Sequence, residues 1–133
     1  MKRVLFFITL CVAVSTTALF AQTKSVNRAE SLAKSRTPNF AEARTLIQEA
    51  LQNPETKDDA KAWYVAGYIE DRQFDAERTK ELLGQTPNQA VMYEALSKVW
   101  PYFQKAYELD QLPDSKGKVN PKNTKKYYGS FIR

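Results

Sequence analysis

The stretch Ala62-Trp63-Tyr64-Val65-Ala66-Gly67-Tyr68-Ile69 carries the strongest folding signal in this chain of 133 residues. Nearly all of its side chains are apolar. In the flanking segments apolar residues recur at helical spacing, and no segment alternates apolar and polar residues for long. The sequence therefore predicts an all-α protein. It also predicts that the central helix, which begins near Thr56 and continues to Leu83, packs against neighbours on more than one side.

Three further helices are predicted around this one. Two precede it, over about residues 24–35 and 39–52, and a fourth begins at Thr86-Pro87 with an N-cap threonine and a first-turn proline. Pro101 lies inside the fourth helix and predicts a kink, because proline removes one backbone hydrogen bond. A split into two helices at Trp100 is the alternative. The predicted core stripe of this helix consists of Met92, Leu96, Val99, Phe103, Ala106 and Leu109.

The first 21 residues have the layout of a secretory signal peptide. Lys2-Arg3 precedes an apolar segment from Val4 to Val14, which is followed by Ser15-Thr16-Thr17 and then Ala18-Leu19-Phe20-Ala21. We expect cleavage after Ala21, with cleavage after Ala18 as the alternative, and an exported protein in the periplasm or at the outer surface. A transmembrane anchor is less favoured, because the apolar run is about half of the ~20 residues that a spanning helix needs.

The predicted organisation is a signal peptide at 1–21, a helical domain at 22–112, a polar loop at 113–123 and the start of a further helix at 124–133. We expect this last helix to be truncated or frayed. Residues 114–133 contain six basic side chains and one acidic side chain, so most of the formal charge of +5 lies there. Export argues against a nucleic-acid partner. The basic segment is read as a solvated linker, with peripheral contact to an anionic lipid or polysaccharide of the envelope as the alternative.

The composition argues against an enzyme. There is no histidine, and the single cysteine, Cys11, falls within the predicted signal peptide. The commonest general base and the usual soft metal ligands are therefore missing. The adjacent carboxylates Asp58-Asp59 and Glu70-Asp71 point in different directions on a helix, so neither pair forms an acid–base couple. We expect no catalytic residue, no cofactor and no metal site.

Two fragments share an order and a spacing. Phe40-x-x-Ala43-x-x-x-Ile47-x-x-Ala50 and Val99-x-x-x-Phe103-x-x-Ala106 resemble the second helix of a tetratricopeptide repeat (TPR), and Trp63-x-x-Ala66-Gly67 resembles its first helix. The resemblance covers roughly residues 25–112, and the layout is similar to that of exported TPR-containing proteins of the Bacteroidetes.

The chain departs from the TPR pattern in two places. The first helix of repeat one is degenerate, with Asn27, Glu30 and Ser31 at signature positions. Repeat two is too long, because Trp63 and Ala106 are 43 residues apart where the pattern expects about 23. A generic helical bundle is the alternative.

The resemblance implies stacked antiparallel helix pairs, about two repeats with the start of a third, and a groove lined by the first helix of each pair. It implies a scaffold or adaptor for a protein or peptide of unknown identity, and it leaves the oligomeric state open. Alternatives are an exported solute- or polysaccharide-binding protein and an unclassified helical enzyme. Tyr64 and Tyr68 could instead be buried packing residues. The groove candidates are Lys61, Tyr64, Tyr68, Asp71 and Arg72 in repeat two, and Arg28, Leu32 and Arg36 in repeat one.

Overall fold

A computed structural model describes residues 21–127, and all the regular structure in that range is helical. Helix α1 comprises residues 21–34, α2 Phe40–Gln52, α3 Ala60–Leu82, α4 Gln89–Asp110 and α5 Lys122–Tyr127. The prediction of an all-α fold is confirmed. Apart from Ala21, the predicted signal peptide lies outside the described residues, and so do residues 128–133 of the expected last helix.

Short polar side chains set the starts of three helices. Asn39, Asp59 and Asn88 each accept a hydrogen bond from a backbone N–H of the first turn that follows. The predicted start of α3 near Thr56 is wrong. The Thr56 side chain is buried instead, and its hydroxyl donates to the carbonyl oxygen of Ala50 at 2.6 Å, which closes the turn between α2 and α3.

Helix α4 runs without interruption through Pro101. The alternative of two helices divided at Trp100 is therefore wrong. Pro101 lies on an exposed side of α4, so its ring points into solvent and costs the helix one backbone hydrogen bond without disturbing the core.

Helices that follow one another in the sequence pack against one another. Helix α2 contacts α3, α3 lies along α4, and α5 contacts both α3 and α4. Side chains tie α1 to α3, since the Lys61 ammonium donates to Asn27 Oδ1 at 2.5 Å. Alanines and a few larger apolar side chains of α1 to α4 form one continuous core. Consecutive helices thus stack as neighbours.

Gly67 lies where α3 passes closest to α4. A Cβ atom at this position would be 2.6 Å from Cδ1 and Cε1 of Phe103, far inside van der Waals contact. The Phe103 ring is 4% exposed and stacks on Tyr64, with ring centroids 5.5 Å apart. Because the ring is buried and also stacks on Tyr64 of the same helix, it has little room to move, and only glycine lets the α3 backbone approach it so closely.

Substitution of Gly67 by leucine is expected to destabilise the protein by about 1–3 kcal/mol through overpacking. Gly67→Ala should also destabilise it, although alanine forms helices better than glycine by about 1 kcal/mol. Phe103→Leu should recover part of the loss in the Gly67→Ala background, because both side chains compete for one space. Urea unfolding of the two single variants and the double variant measures this coupling, and strictly additive losses would contradict the close approach.

Candidate functional site

Helices α1, α3 and α5 meet around the carboxylate of Glu30, which is only 8% exposed. The ammonium of Lys34 on α1 donates to Glu30 Oε1 at 2.5 Å, and that of Lys61 on α3 lies 3.7 Å from Oε2. Burial by itself raises the pKa of Glu30. The hydrogen bond and charge of Lys34, with the charges of Lys61 and of Lys126 on α5, outweigh burial and hold this pKa below its usual value. We call the surface around Glu30 and Lys34 of α1, Lys61 of α3 and Lys126 of α5 the α1–α3–α5 face.

The two tyrosines of α3 have different roles in the structure. Tyr64 is 3% exposed and stacks on Phe103, so it belongs to the core and offers a ligand almost no surface. Tyr68 is half-buried; its ring stacks 6.2 Å from that of Tyr64, and the Lys34 ammonium lies 5.5 Å from its centroid. The packing alternative therefore describes both tyrosines, since Tyr68 also packs against the core, but Tyr68 remains partly exposed on the α1–α3–α5 face.

Asp71 and Arg72 lie one turn beyond Tyr68, and both are partly exposed. Burial raises the pKa of the Asp71 carboxyl, nearby Asp75 raises it further, and Arg72 acts against both. The Nε atom of Arg72 is buried and finds no acceptor among the described residues. A buried donor without an acceptor costs free energy. Because Nε itself is enclosed, a ligand would meet this partly exposed arginine at the terminal nitrogens of its guanidinium.

The candidates from repeat one are not gathered in the same place. The Arg28 guanidinium turns to α2, where its Nη2 and Nε donate to Glu42 Oε1 at 2.6 and 3.1 Å. Arg36 is exposed in the bend that follows α1. Leu32 packs against the core. Of the eight sequence candidates, Lys61 and Tyr68 lie beside α1 in the structure. Asp71 and Arg72 lie further along α3, the helix that carries both.

Four large exposed apolar side chains lie on α4 instead, while Leu82 and Leu83 at the end of α3 are exposed to 75 and 70%. Tyr93, Leu96, Trp100 and Tyr107 are 63, 49, 68 and 45% exposed, and their spacing of three, four and seven residues puts them on one side of the helix. We call these four residues the α4 stripe. The prediction of Leu96 as a core residue is wrong: its side chain is 49% exposed, although it lies seven residues before the buried Phe103 and so on nearly the same side of α4. The seven-residue spacing of Tyr93, Trp100 and Tyr107 is the feature of the sequence that could have predicted this exposed row of side chains.

The start of α4 is fixed by Glu77, a buried carboxylate on α3. Its Oε1 accepts from the Lys80 ammonium and its Oε2 from the backbone N–H of Asn88, both at 2.7 Å. The hydrogen bond from Lys80, followed by that from Asn88, holds the pKa of Glu77 below its usual value. Asn88 caps α4, so Glu77 sets the position of the helix that carries the α4 stripe.

A cavity of about 290 Å³ lies between the end of α4 and the loop that leads to α5. The two carboxylates that line it accept hydrogen bonds from other groups of the same chain. Asp110 accepts from the backbone N–H and the hydroxyl of Thr124, at 2.6 and 2.7 Å. Asp114 accepts from the backbone N–H groups of Lys116 and Lys118, both at 2.9 Å. These contacts shape the loop and hold the start of α5 against α4.

Comparison of the chain with protein-family models, curated proteins and solved structures found no match. Among residues 21–127, no helix is long and apolar enough to cross a membrane. In the same range, no three or more acidic side chains cluster as a metal site would require. The α1–α3–α5 face and the α4 stripe are therefore two candidate binding surfaces among the described residues.

Replacement of Glu77 by glutamine is expected to cost about 1.5–3 kcal/mol near neutral pH, the range for hydrogen bonds to a charged group. The pKa of Glu77 is lowered in the folded protein. Its contribution is therefore complete above the pKa of the unfolded chain and is lost as the pH falls through the lower folded pKa. The unfolding free energies of wild type and Glu77→Gln should converge as the pH falls below about 4.3, the usual pKa of a glutamate.

Circular dichroism during chemical unfolding, repeated across this pH range, measures the convergence. Glu81→Gln is the matched control, because Glu81 is an exposed glutamate one turn further along α3. It should follow the wild type at every pH. A constant difference between wild type and Glu77→Gln down to the lowest pH would contradict the role assigned to the ionised carboxylate.

Proposed function

We propose that this chain is an exported, TPR-like scaffold or adaptor that binds a protein or peptide on the α1–α3–α5 face, and that it is not an enzyme. The observation that carries this proposal is that Tyr68, Asp71 and Arg72 are all partly exposed and lie within about one turn on one side of α3. Two features support the TPR-like part: consecutive helices stack as neighbours, and a glycine lies at the crossing of a helix pair.

The chemistry of these side chains suits a peptide. Tyrosine and arginine combine a large apolar area with directional donors, and they are enriched where binding energy concentrates. Arg72 would donate to a carboxylate or main-chain carbonyl of the ligand, and the exposed edge of Tyr68 would cover an apolar side chain next to it. A peptide with an acidic residue beside an apolar one fits this arrangement.

The location of the protein is part of the proposal. The signal-peptide layout of residues 1–21 supports export to the periplasm or the outer surface. Nucleic acid is then not the partner, and the exposed side chains of Lys116, Lys118, Lys122 and Lys125 would meet an anionic surface of the envelope. The bundle is held by its core and by side-chain ion pairs, since residues 22–133 contain no cysteine.

Selection from a random-peptide display library, followed by affinity measurement on the selected peptides, tests the binding proposal. We expect peptides with an acidic and an apolar residue to be enriched, and Arg72→Ala and Tyr68→Ala each to weaken them about tenfold or more, as side chains at binding hot spots do. Arg78→Ala is the matched control, because Arg78 is an exposed arginine of the same helix, and it should change the affinity little.

Two results would contradict the proposal. One is selected peptides whose affinity does not depend on Arg72 or Tyr68. The other is a small solute or oligosaccharide that strongly stabilises the protein against heat when no peptide does, since a ligand at about 100 times its dissociation constant adds ~2.7 kcal/mol. The second result would favour the solute-binding alternative.

A further inference from the structure

The turn that joins α3 to α4 is exposed on nearly all sides. Between residues 78 and 90, only Lys80 and Pro87 are partly covered, and every other residue is exposed. Leu82 and Leu83, at the outer end of α3, are 75 and 70% exposed. We call residues 82–93 the α3–α4 tip. It places two large apolar side chains next to each other at the end of the molecule.

The α3–α4 tip projects beyond the other helices. The Arg44 guanidinium of α2 reaches Gln73 of α3 at 3.4 Å, and α2 begins one turn nearer to the tip, at Phe40. Helix α1 ends further back, beside Tyr68. Because a helix rises about 1.5 Å per residue, Leu82 lies about 13 Å beyond Gln73 and roughly 7 Å beyond the start of α2. Only α3 and α4 form this projecting part.

The tip carries no charge. Residues 82–93 contain no lysine, arginine, aspartate or glutamate, and they form the longest segment of this kind in residues 21–127. The next longest, residues 62–69, lies in the core of the protein. Charged side chains normally occupy exposed positions. A segment that is both exposed and free of charge is therefore typical of a surface that contacts something other than bulk water.

The backbone at the tip satisfies its own hydrogen bonds. At the end of α3 the N–H of Gln85 donates to the carbonyl oxygen of Lys80 at 2.8 Å, a closure that uses the positive φ of 72° at Gly84. At the start of α4 the Asn88 side chain accepts from the N–H of Val91 at 3.2 Å. Unsatisfied backbone groups are costly in lipid, so this closure reduces the free-energy cost of moving the tip out of water.

The shape of the tip fits a bilayer surface better than it fits a protein. Two leucines on a convex end form no groove into which a protein side chain could pack, whereas lipids rearrange around an inserted shape. Tyr93 is 63% exposed and lies four residues after the start of α4, about 6 Å from its outer end. Interfacial elements enter a bilayer by about 5–10 Å, and tyrosine is enriched at the headgroup level. The leucines would thus reach the acyl chains while Tyr93 stays among the headgroups.

We propose that the α3–α4 tip inserts Leu82 and Leu83 into the surface of a phospholipid bilayer and holds the protein there peripherally. The proposal goes beyond the proposed function, because the tip and the α1–α3–α5 face involve different side chains. Tyr68 and Arg72 lie at least about 15 Å back along α3, so they stay in water and accessible to a partner. The lysines after Asp114 lie at the other end of α4, about 30 Å away. The contact is therefore apolar and not electrostatic.

Co-flotation of the full chain with vesicles of phosphatidylcholine and phosphatidylethanolamine tests this contact, with the protein expressed from Met1 and purified in its processed form. We expect it to float with the vesicles at low and at high salt. Leu82→Asp and Leu83→Asp should each lower the partition coefficient about tenfold or more, since a charge is costly below the headgroups. Leu112→Asp is the matched control. Leu112 is 61% exposed but lies beyond the end of α4, and its replacement should change the partition little.

Wild-type protein that does not float at any lipid concentration would overturn the proposal, and it is the result expected if the tip docks on another protein. Flotation that persists in Leu82→Asp and in Leu83→Asp would overturn it too. Flotation with anionic vesicles alone, lost at high salt, would assign the contact to the lysines and would equally overturn it. Circular dichroism checks the fold of each variant. Loss of helix moves the test to Leu82→Gln and Leu83→Gln, which should also lower the partition coefficient.

A fluorophore at the tip tests which part of the protein is inserted. Gln85→Cys, in a Cys11→Ser background and labelled with an environment-sensitive dye, should shift its emission to shorter wavelength when vesicles are added and should be protected from an aqueous quencher. Lys116→Cys, labelled in the same way at the other end of the molecule, should show neither change. An unshifted emission at Gln85→Cys with bound vesicles, or an equal shift at both positions, would contradict insertion of the tip.

Discussion

The close approach of Gly67 to Phe103 is the constraint on which the remaining contacts depend. With no Cβ atom at Gly67, the α3 backbone comes within van der Waals distance of the phenylalanine ring, and Tyr64 stacks on the same ring. This contact fixes how α4 is rotated about its own axis. Ala95 and Ala106 turn inward as a result, and Trp100 turns outward. One small residue therefore decides both the core and the exposed aromatic edge of α4.

The other sides of α3 are fixed by charged groups. Arg44 of α2 forms a two-pronged hydrogen bond with Glu70, through Nε and Nη2 at 2.8 Å each, and the hydrogen bond with Glu70 raises the pKa of Arg44. Glu70 is 3% exposed. Loss of one partner from such a pair leaves a buried charge without compensation, which costs more than the pair contributes. Lys61 of α3 likewise forms an ion pair with Glu30 of α1. Helices α1 and α2 are therefore each positioned against α3 by an ion pair of their own.

The features that the sequence predicts well are those set by residue size and spacing. The all-α fold follows from helical periodicity, and a close crossing at Gly67 follows from one glycine in an apolar segment that also holds large residues. The exposure of Leu96 and the burial of Tyr64 depend on which turns of each helix a neighbouring helix covers, which periodicity in one chain does not determine. The pairing of Arg28 with Glu42 depends on tertiary neighbours. Glu30 is a polar residue in an apolar position, and only the lysines of other helices explain its burial.

The direct test of the central claim is a nuclear Overhauser measurement between Gly67 and Phe103. One of the two Gly67 Hα atoms lies where the Cβ atom of any other residue would be, and it points at Cδ1 and Cε1 of the ring. We predict strong cross-peaks from this proton to the Phe103 ring protons and a ring-current shift that differs from that of the second Gly67 Hα. Absence of these cross-peaks in a folded sample, with both Gly67 Hα protons at ordinary shifts, would contradict the crossing and with it the assignment of both faces.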